Sequence, residues 1–180
     1  MKRGYSMKKL PLFIIAFLAA GFLYAQEMPN VQFHNFPWGT SLRDFKAKMG
    51  EPAHAESVNG LQSLIYENVT VSGYKAFMLA YFSQKGLEGG IYYFNTANLD
   101  DLMRCYTDLQ NELLEKYGTT LLYEVILREM RPYETSWNLP SGYIYLKINT
   151  RWWNEPVTLW FSSPELTRRL RADEQLAGNR

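Results

Sequence analysis

The sequence predicts an α+β domain in which antiparallel strands carry helices on one face. Two observations lead to this prediction. Residues 74–82 and 88–95 alternate in side-chain character as strands do, and residues 99–117 carry apolar side chains at helical spacing. A helix followed by about three strands occurs twice along the chain, which also predicts an architectural tandem repeat with halves at 36–95 and 96–162.

The chain begins with a segment typical of secretory signal peptides. Four basic residues come first, the apolar run 10–25 follows, and Ala25 supplies a small residue for cleavage. The run is shorter than the roughly 20 residues of a spanning helix. We therefore expect cleavage near Ala25 and a periplasmic or secreted protein. A membrane contact is expected only if the segment stays uncleaved. Both Met1 and Met7 are possible starts.

The rest of the chain is predicted to form one domain over residues 26–172, followed by a flexible polar tail over 173–180. Removing residues 1–25 leaves 15 Lys and Arg against 18 Asp and Glu, a net charge of −3. Neutralisation of phosphates by basic residues dominates nucleic-acid affinity, so a slightly acidic domain is a poor candidate for that role. We expect no nucleic-acid partner.

A short helix is predicted near residue 42. Ser41 followed by Asp44 matches a variant of the capping box, while Gly50 and Pro52 are typical of a helix end. One face of this helix is apolar and consists of Leu42, Phe45 and Met49.

This region resembles a known family of envelope proteins. The pattern Gly39-Thr40-Ser41, Asp44-Phe45 and Met49-Gly50-Glu51-Pro52 is similar to the first-helix signature of the BamE-like (SmpA/OmlA) family. The resemblance, within residues 36–52, implies helices packed on a three-stranded antiparallel sheet and a binding or scaffolding role without catalysis. This chain departs from the family in lacking a lipidation cysteine and in carrying a second helix-and-strand half.

Strands are predicted wherever apolar side chains alternate between turn residues. In the clearest case, one face contains Ala76, Met78, Ala80 and Phe82, and the other contains Phe77, Leu79 and Tyr81. The predicted strands are 61–67, 74–82, 88–95, 121–130, 134–138, 143–148 and 157–161.

The longest helix is predicted over residues 99–117. Asn98 is its expected cap and Gly118 its end, and Cys105 lies next to the apolar stripe as a partly buried small hydrophobe. A last helix is predicted to open at Ser163 and to fray beyond Ala172.

Motifs of catalysis or metal binding are absent from the sequence. It contains no nucleophile elbow, phosphate-binding loop, zinc-protease motif or cysteine-rich metal pattern. His34 and His54 are expected in loops or on the surface. We therefore predict no cofactor and no metal. A periplasmic hydrolase with a site assembled from scattered carboxylates stays open as the alternative.

The aromatic content indicates a binding surface. The chain contains 13 Tyr, 10 Phe and 5 Trp. If helices cover one sheet face, the other presents aromatic side chains to a partner. The candidate binding residues are Trp152 and Trp153 in a turn-like stretch, and Tyr143 and Tyr145 in a strand. The expected partner is a protein of the cell envelope, with a glycan or lipid as alternatives. The competing interpretation is a second small core beneath the loops.

Overall fold

The computed structural model describes residues 29–58, 60–118, 133–148 and 156–178. The predicted signal segment and the predicted strand 121–130 lie outside these ranges. The described elements confirm an α+β fold with an antiparallel sheet. The helices are α1 (Leu42–Met49), α2 (Leu99–Tyr117) and α3 (Pro164–Gly178). The strands are β1 (His54–Val58), β2 (Leu61–Val71), β3 (Tyr74–Ser83), β4 (Gly86–Phe94), β5 (Tyr133–Leu139), β6 (Gly142–Ile148) and β7 (Val157–Ser162).

All described strands belong to one antiparallel sheet in the order β1-β2-β3-β4-β7-β6-β5. Strands from the two predicted halves meet where β4 pairs with β7. The tandem repeat itself stays a prediction. The sequence gives no signal for β1, because His54–Val58 is short and largely polar and forms an edge of the sheet.

Both predicted caps of the first two helices are confirmed. The Ser41 side chain accepts a hydrogen bond from the backbone N–H of Asp44 at 3.1 Å, and the Asn98 side chain accepts one from Asp101 at 2.9 Å. These side chains satisfy amides that have no partner inside the helix, which fixes where each helix begins. Gly118 ends α2 at the predicted residue.

One face of the sheet, here called the core face, is buried beneath α1 and α2. Phe45 of α1 lies against Tyr66 and Phe82, and Tyr106 of α2 is hydrogen-bonded to Thr135 of β5 at 2.7 Å. Alternation along each strand supplies this face with apolar side chains. Its fully buried members include Leu64, Met78, Phe94, Trp137, Ile144, Leu146, Ile148 and Val157.

The third helix lies on the opposite face. Gly89 and Gly90 are neighbours in β4 and therefore point to opposite sides of the sheet. A Cβ at Gly90 would clash with the ring of Phe33, whereas one at Gly89 would lie 2.6 Å from Cδ2 of Leu166 in α3. Helices α1 and α2 thus cover one face of the sheet, as predicted, whereas α3 crosses one end of the opposite face. It continues to Gly178, beyond Ala172, where the sequence predicts its end.

Candidate functional site

An aromatic surface occupies the sheet face opposite α1 and α2. We call it the open face and define it by the side chains that alternate with the core face in β3, β4, β6 and β7. Most are half-buried, Ile91 is buried, and Phe77 is 42% exposed. The open face consists of Phe77, Leu79, Tyr81, Ile91, Tyr93, Tyr143, Tyr145 and Trp160.

Strand register aligns these side chains in rows across the sheet. The central row runs Ile65, Leu79, Ile91, Trp160, Tyr145, Ser136, from β2 to β5. A second row places Phe77 beside Tyr93, and Tyr93 beside Thr158. Directly opposed residues on one face contact each other, so register makes the apolar surface continuous over four strands.

Small residues at one end of the open face explain how α3 fits there. Gly89 pairs with Ser162, and Ser162 pairs with Tyr143. Leu166 of α3 packs against these small residues, and Arg171 lies over the ring of Tyr143 at 5.9 Å. The helix therefore covers one end of the open face, and the rows that contain Trp160 and Phe77 lie next to it.

An ion pair beneath α3 holds the helix to the sheet. The Glu88 carboxylate in β4 pairs with the guanidinium of Arg169, and it also accepts a hydrogen bond from Ser83. The Glu88 side chain is only 7% exposed. At the surface, Lys85 and Glu165 form a second bridge at 2.8 Å. A buried carboxylate requires such partners. The position of α3 therefore brings Arg169 to the Glu88 charge, and the ion pair in turn stabilises that position.

Several open-face rings are stacked on one another. Tyr81 and Trp160 stack with centroids 6.3 Å apart, and Tyr143 and Tyr145 stack at 6.4 Å. A groove of about 360 Å³ runs between the Tyr81–Trp160 stack and α3. Its lining is apolar along the bottom and charged at the rim: Leu61, Ser63, Tyr81, Trp160, Leu166, Arg169, Leu170 and Asp173.

Two tyrosines of the open face, Tyr81 and Tyr145, have a raised pKa. Burial, with the nearby Tyr93 and Glu56, raises the pKa of Tyr81 to about 12. Burial and the Glu134 carboxylate also raise the pKa of Tyr145. Glu134 in turn pairs with Lys147 at 3.6 Å, near the β5 edge. The face is therefore apolar at its centre and charged towards its borders.

The predicted binding residues are only partly covered by the structure. Tyr143 and Tyr145 lie on the open face in half-buried positions. Trp152 and Trp153 lie outside the described residues. Trp160, Tyr93 and Phe77 were not among the predicted binding residues. Their alternation with Phe161, Phe94 and Met78 is the sequence signal that would have placed them on the open face.

The two histidines occupy separate places. His54 lies in the edge strand β1, whereas His34 is hydrogen-bonded through Nδ1 to the hydroxyl of Tyr92 at 2.9 Å. Burial lowers the pKa of His34. Within the described ranges, no three His, Cys, Asp or Glu side chains are grouped to hold a metal ion. No helix in those ranges has both the length and the apolar character needed to cross a bilayer.

Comparisons with known proteins give little to add to this geometry. Neither the protein-family comparison nor the search of curated proteins gives a match. Among solved structures, the chain is similar to an extracellular protein containing an SCP domain from Bacillus anthracis str. Ames, with a TM-score of 0.44 and 13% identity. The match covers 81% of this chain and 52% of that chain, so this chain spans about half that protein's length.

Proposed function

We propose that this chain is an exported, non-catalytic binding module that holds a protein partner of the cell envelope on its open face. One observation carries the proposal: Phe77, Tyr93, Trp160 and Tyr145 form a continuous, partly exposed aromatic surface across four strands. Aromatic residues with few charges are typical of the centre of protein interfaces.

The stacking geometry favours a protein over a glycan as the partner. Sugars bind to a free aromatic face, but Tyr81 and Trp160 already stack on each other, as do Tyr143 and Tyr145. Arg171 lies over the ring of Tyr143. The exposed ring edges, together with Phe77, suit the irregular apolar surface of a protein better than a flat sugar ring.

Export belongs to the same proposal. Residues 1–25 have the order of a signal peptide, with cleavage near Ala25 and a periplasmic or secreted product. N-terminal sequencing of the mature protein tests this, because a start near Gln26 supports cleavage. A product that retains residues 10–25 contradicts it and supports the tethered form. The similarity of residues 36–52 to BamE-like proteins points to an envelope-assembly role and stays a prediction.

The hydrolase alternative gains no specific support. His34 and Glu112 line one cavity, but each already has another hydrogen-bond partner: His34 bonds to Tyr92, and the Glu112 carboxylate accepts a hydrogen bond from Ser72. A general acid–base pair requires a shared substrate position within hydrogen-bond reach of both groups.

Substitution of one exposed residue on each side of the molecule tests the binding surface. Phe77→Lys places a charge on the open face, and Leu99→Lys is the matched control because Leu99, at the start of α2, is 44% exposed. Both variants should unfold at the same urea concentration as the wild type. We expect Phe77→Lys to reduce recovery of crosslinked envelope proteins by about tenfold or more, since burying an unpaired ammonium opposes binding.

The same comparison separates the partner classes. Equal recovery of crosslinked proteins by both variants would overturn the assignment of the open face. Sedimentation of purified protein with peptidoglycan or with anionic lipid vesicles, lost in Phe77→Lys alone, would replace the protein partner by a glycan or a lipid.

A further inference from the structure

A second groove runs along α3, on the opposite side of that helix from the groove described above. It has a volume of about 390 Å³ and lies between α3 and the turn that joins β5 to β6. We call it the arginine groove. Its lining includes Leu139, Ala172, Asn138, Gln175, Arg168 and Arg171. The two amides and both arginines are exposed, so a molecule in the groove can reach their polar groups.

The three arginines of residues 168–171 are divided between the two sides of α3. Arg169 pairs with the buried carboxylate of Glu88 and so completes an internal ion pair. Arg168 and Arg171 are three positions apart, lie on one face of the helix and line the arginine groove. Neither forms an ion pair with a carboxylate in the part of the chain that the structure describes.

The nearest carboxylates in sequence whose side chains the structure describes, Glu165 and Asp173, lie outside the arginine groove. Glu165 is bonded to Lys85 at 2.8 Å, and Lys85 lowers the pKa of Glu165 more than Arg168 does. Asp173 lines the groove on the other side of the helix. No aspartate or glutamate among the described residues lines the arginine groove, so its two positive charges are not balanced there.

Aromatic stacking orients one of these two guanidinium groups. Arg171 lies over the ring of Tyr143 at 5.9 Å, and Tyr143 in turn stacks on Tyr145. Stacking uses the flat face of a guanidinium and leaves the N–H donors at its edge for a ligand. Because this side chain is already oriented, binding costs less conformational entropy than it would with a mobile arginine.

Hydrogen bonds hold both walls of the arginine groove. On the helix side, the Ser162 and Thr167 hydroxyls are bonded at 2.7 Å, and Thr167 also donates to the carbonyl of Ser163. On the side of the turn, the indole of Trp38 donates to the carbonyl of Ser141 at 2.8 Å. None of these contacts uses a groove arginine, so the walls stay in place without occupying the two guanidinium groups.

We propose that the arginine groove binds a phosphate monoester. Near neutral pH such a group carries about two negative charges and three oxygens that accept hydrogen bonds, which suits two guanidinium groups better than a singly charged carboxylate does. The organic part of the ester packs on Leu139 and Ala172. The site makes no use of Phe77 or Trp160, so it goes beyond the proposed function and is tested separately from it.

Phenyl phosphate, benzoate and benzylamine test the assignment, because they share a ring and differ in charge. In an NMR titration of the isotope-labelled mature protein at physiological salt, phenyl phosphate should shift the backbone signals of residues 138–142 and 164–175. We expect benzoate to bind about tenfold more weakly, since it has one charge and fewer acceptor oxygens. No shift with phenyl phosphate, or equally tight binding of benzoate or benzylamine, would overturn the proposal.

Substitution of each groove arginine locates the site. Arg168→Gln and Arg171→Gln should each weaken phenyl phosphate binding by about tenfold, because each removes one charge and one set of donors. Arg104→Gln is the matched control, an exposed arginine of α2 on the other side of the sheet, and should keep the wild-type affinity. All three variants should unfold at about the wild-type urea concentration. Unchanged affinity in both groove variants, or an equal loss in Arg104→Gln, would contradict the site.

Vesicles distinguish the two sources of a phosphate monoester, a lipid headgroup and a soluble metabolite. The probes are phosphatidylcholine vesicles with and without phosphatidic acid, whose headgroup is a phosphate monoester. Sedimentation that requires phosphatidic acid and is competed by phenyl phosphate assigns the groove to a lipid. Binding of phenyl phosphate without binding to either vesicle assigns it to a soluble ester. Phe77→Lys should change neither result, which separates this site from partner binding on the open face.

Discussion

The two faces of one sheet differ in what their aromatic residues do. On the core face, Phe94 is fully buried beneath the helices, whereas Phe77 on the open face is 42% exposed. Both residues are phenylalanines in adjacent strands of one sheet, so the β-strand propensity of the residue type cannot account for the difference. Burial of apolar area stabilises the fold in proportion to the area removed from water. Open-face rings are therefore expected to contribute less to stability, and the proposed function assigns them to partner binding.

The largest expected effect comes from comparing how much a phenylalanine on each face contributes to the free energy of unfolding. Phe94→Ala should lower the free energy of unfolding by about 3–5 kcal/mol, because it leaves a cavity in the core. Phe77→Ala, the same chemical change on the neighbouring strand β3, should cost less than about 1 kcal/mol. Urea unfolding of the mature domain measures both. Equal losses would show that the open face is a second core, as the competing interpretation of the aromatic residues holds.

A smaller effect is expected where α3 is held on the open face. Arg169→Met leaves the Glu88 carboxylate buried without its cation, and should cost about 1–2 kcal/mol because Arg169 is itself 46% exposed. Arg168→Met changes the same charge on a neighbouring exposed position and should cost less than about 0.5 kcal/mol. Hydrogen exchange in residues 164–178 should speed up in the first variant alone. Matching exchange rates in the two variants would mean that the ion pair does not hold the helix.

The smallest effect concerns the core-face thiol. Cys105 is buried in α2, and burial with the nearby Asp108 raises the pKa of its thiol from 9.0 to about 12. The folded state holds this proton more tightly, so the contribution is complete below about pH 9 and is lost as pH rises towards 12. From about pH 8 to about pH 10 the loss is about 1 kcal/mol.

Cys105→Ala removes that titration. Its unfolding free energy should fall less steeply between those pH values than that of the wild type, whatever its value at neutral pH. In the wild type, a thiol reagent should modify Cys105 only as fast as the domain opens. Identical pH slopes in the two proteins, or rapid modification of the folded wild type, would place the thiol outside the core.

The core face was more predictable from sequence than the site. Alternation in residues 74–82 predicted which side chains of β3 share a face, and Ser41 and Asn98 predicted both helix starts, because these signals are local. β1 was missed, since polar edge strands carry little periodicity. The position of α3 across the sheet and the buried pair Glu88–Arg169 both depend on contacts between distant segments. Tyr143 and Tyr145 were identified from alternation within one strand, but their continuity with Trp160 and Phe77 required the strand order.

Site-specific photo-crosslinking in intact cells tests the central claim most directly. A benzophenone amino acid replaces Phe77 in one variant and Leu99 in the other, two positions of nearly equal exposure at 42% and 44%. We predict a discrete crosslinked protein from position 77 and none from position 99. Crosslinking of the same protein from both positions, or from position 99 alone, would contradict a binding surface on the open face.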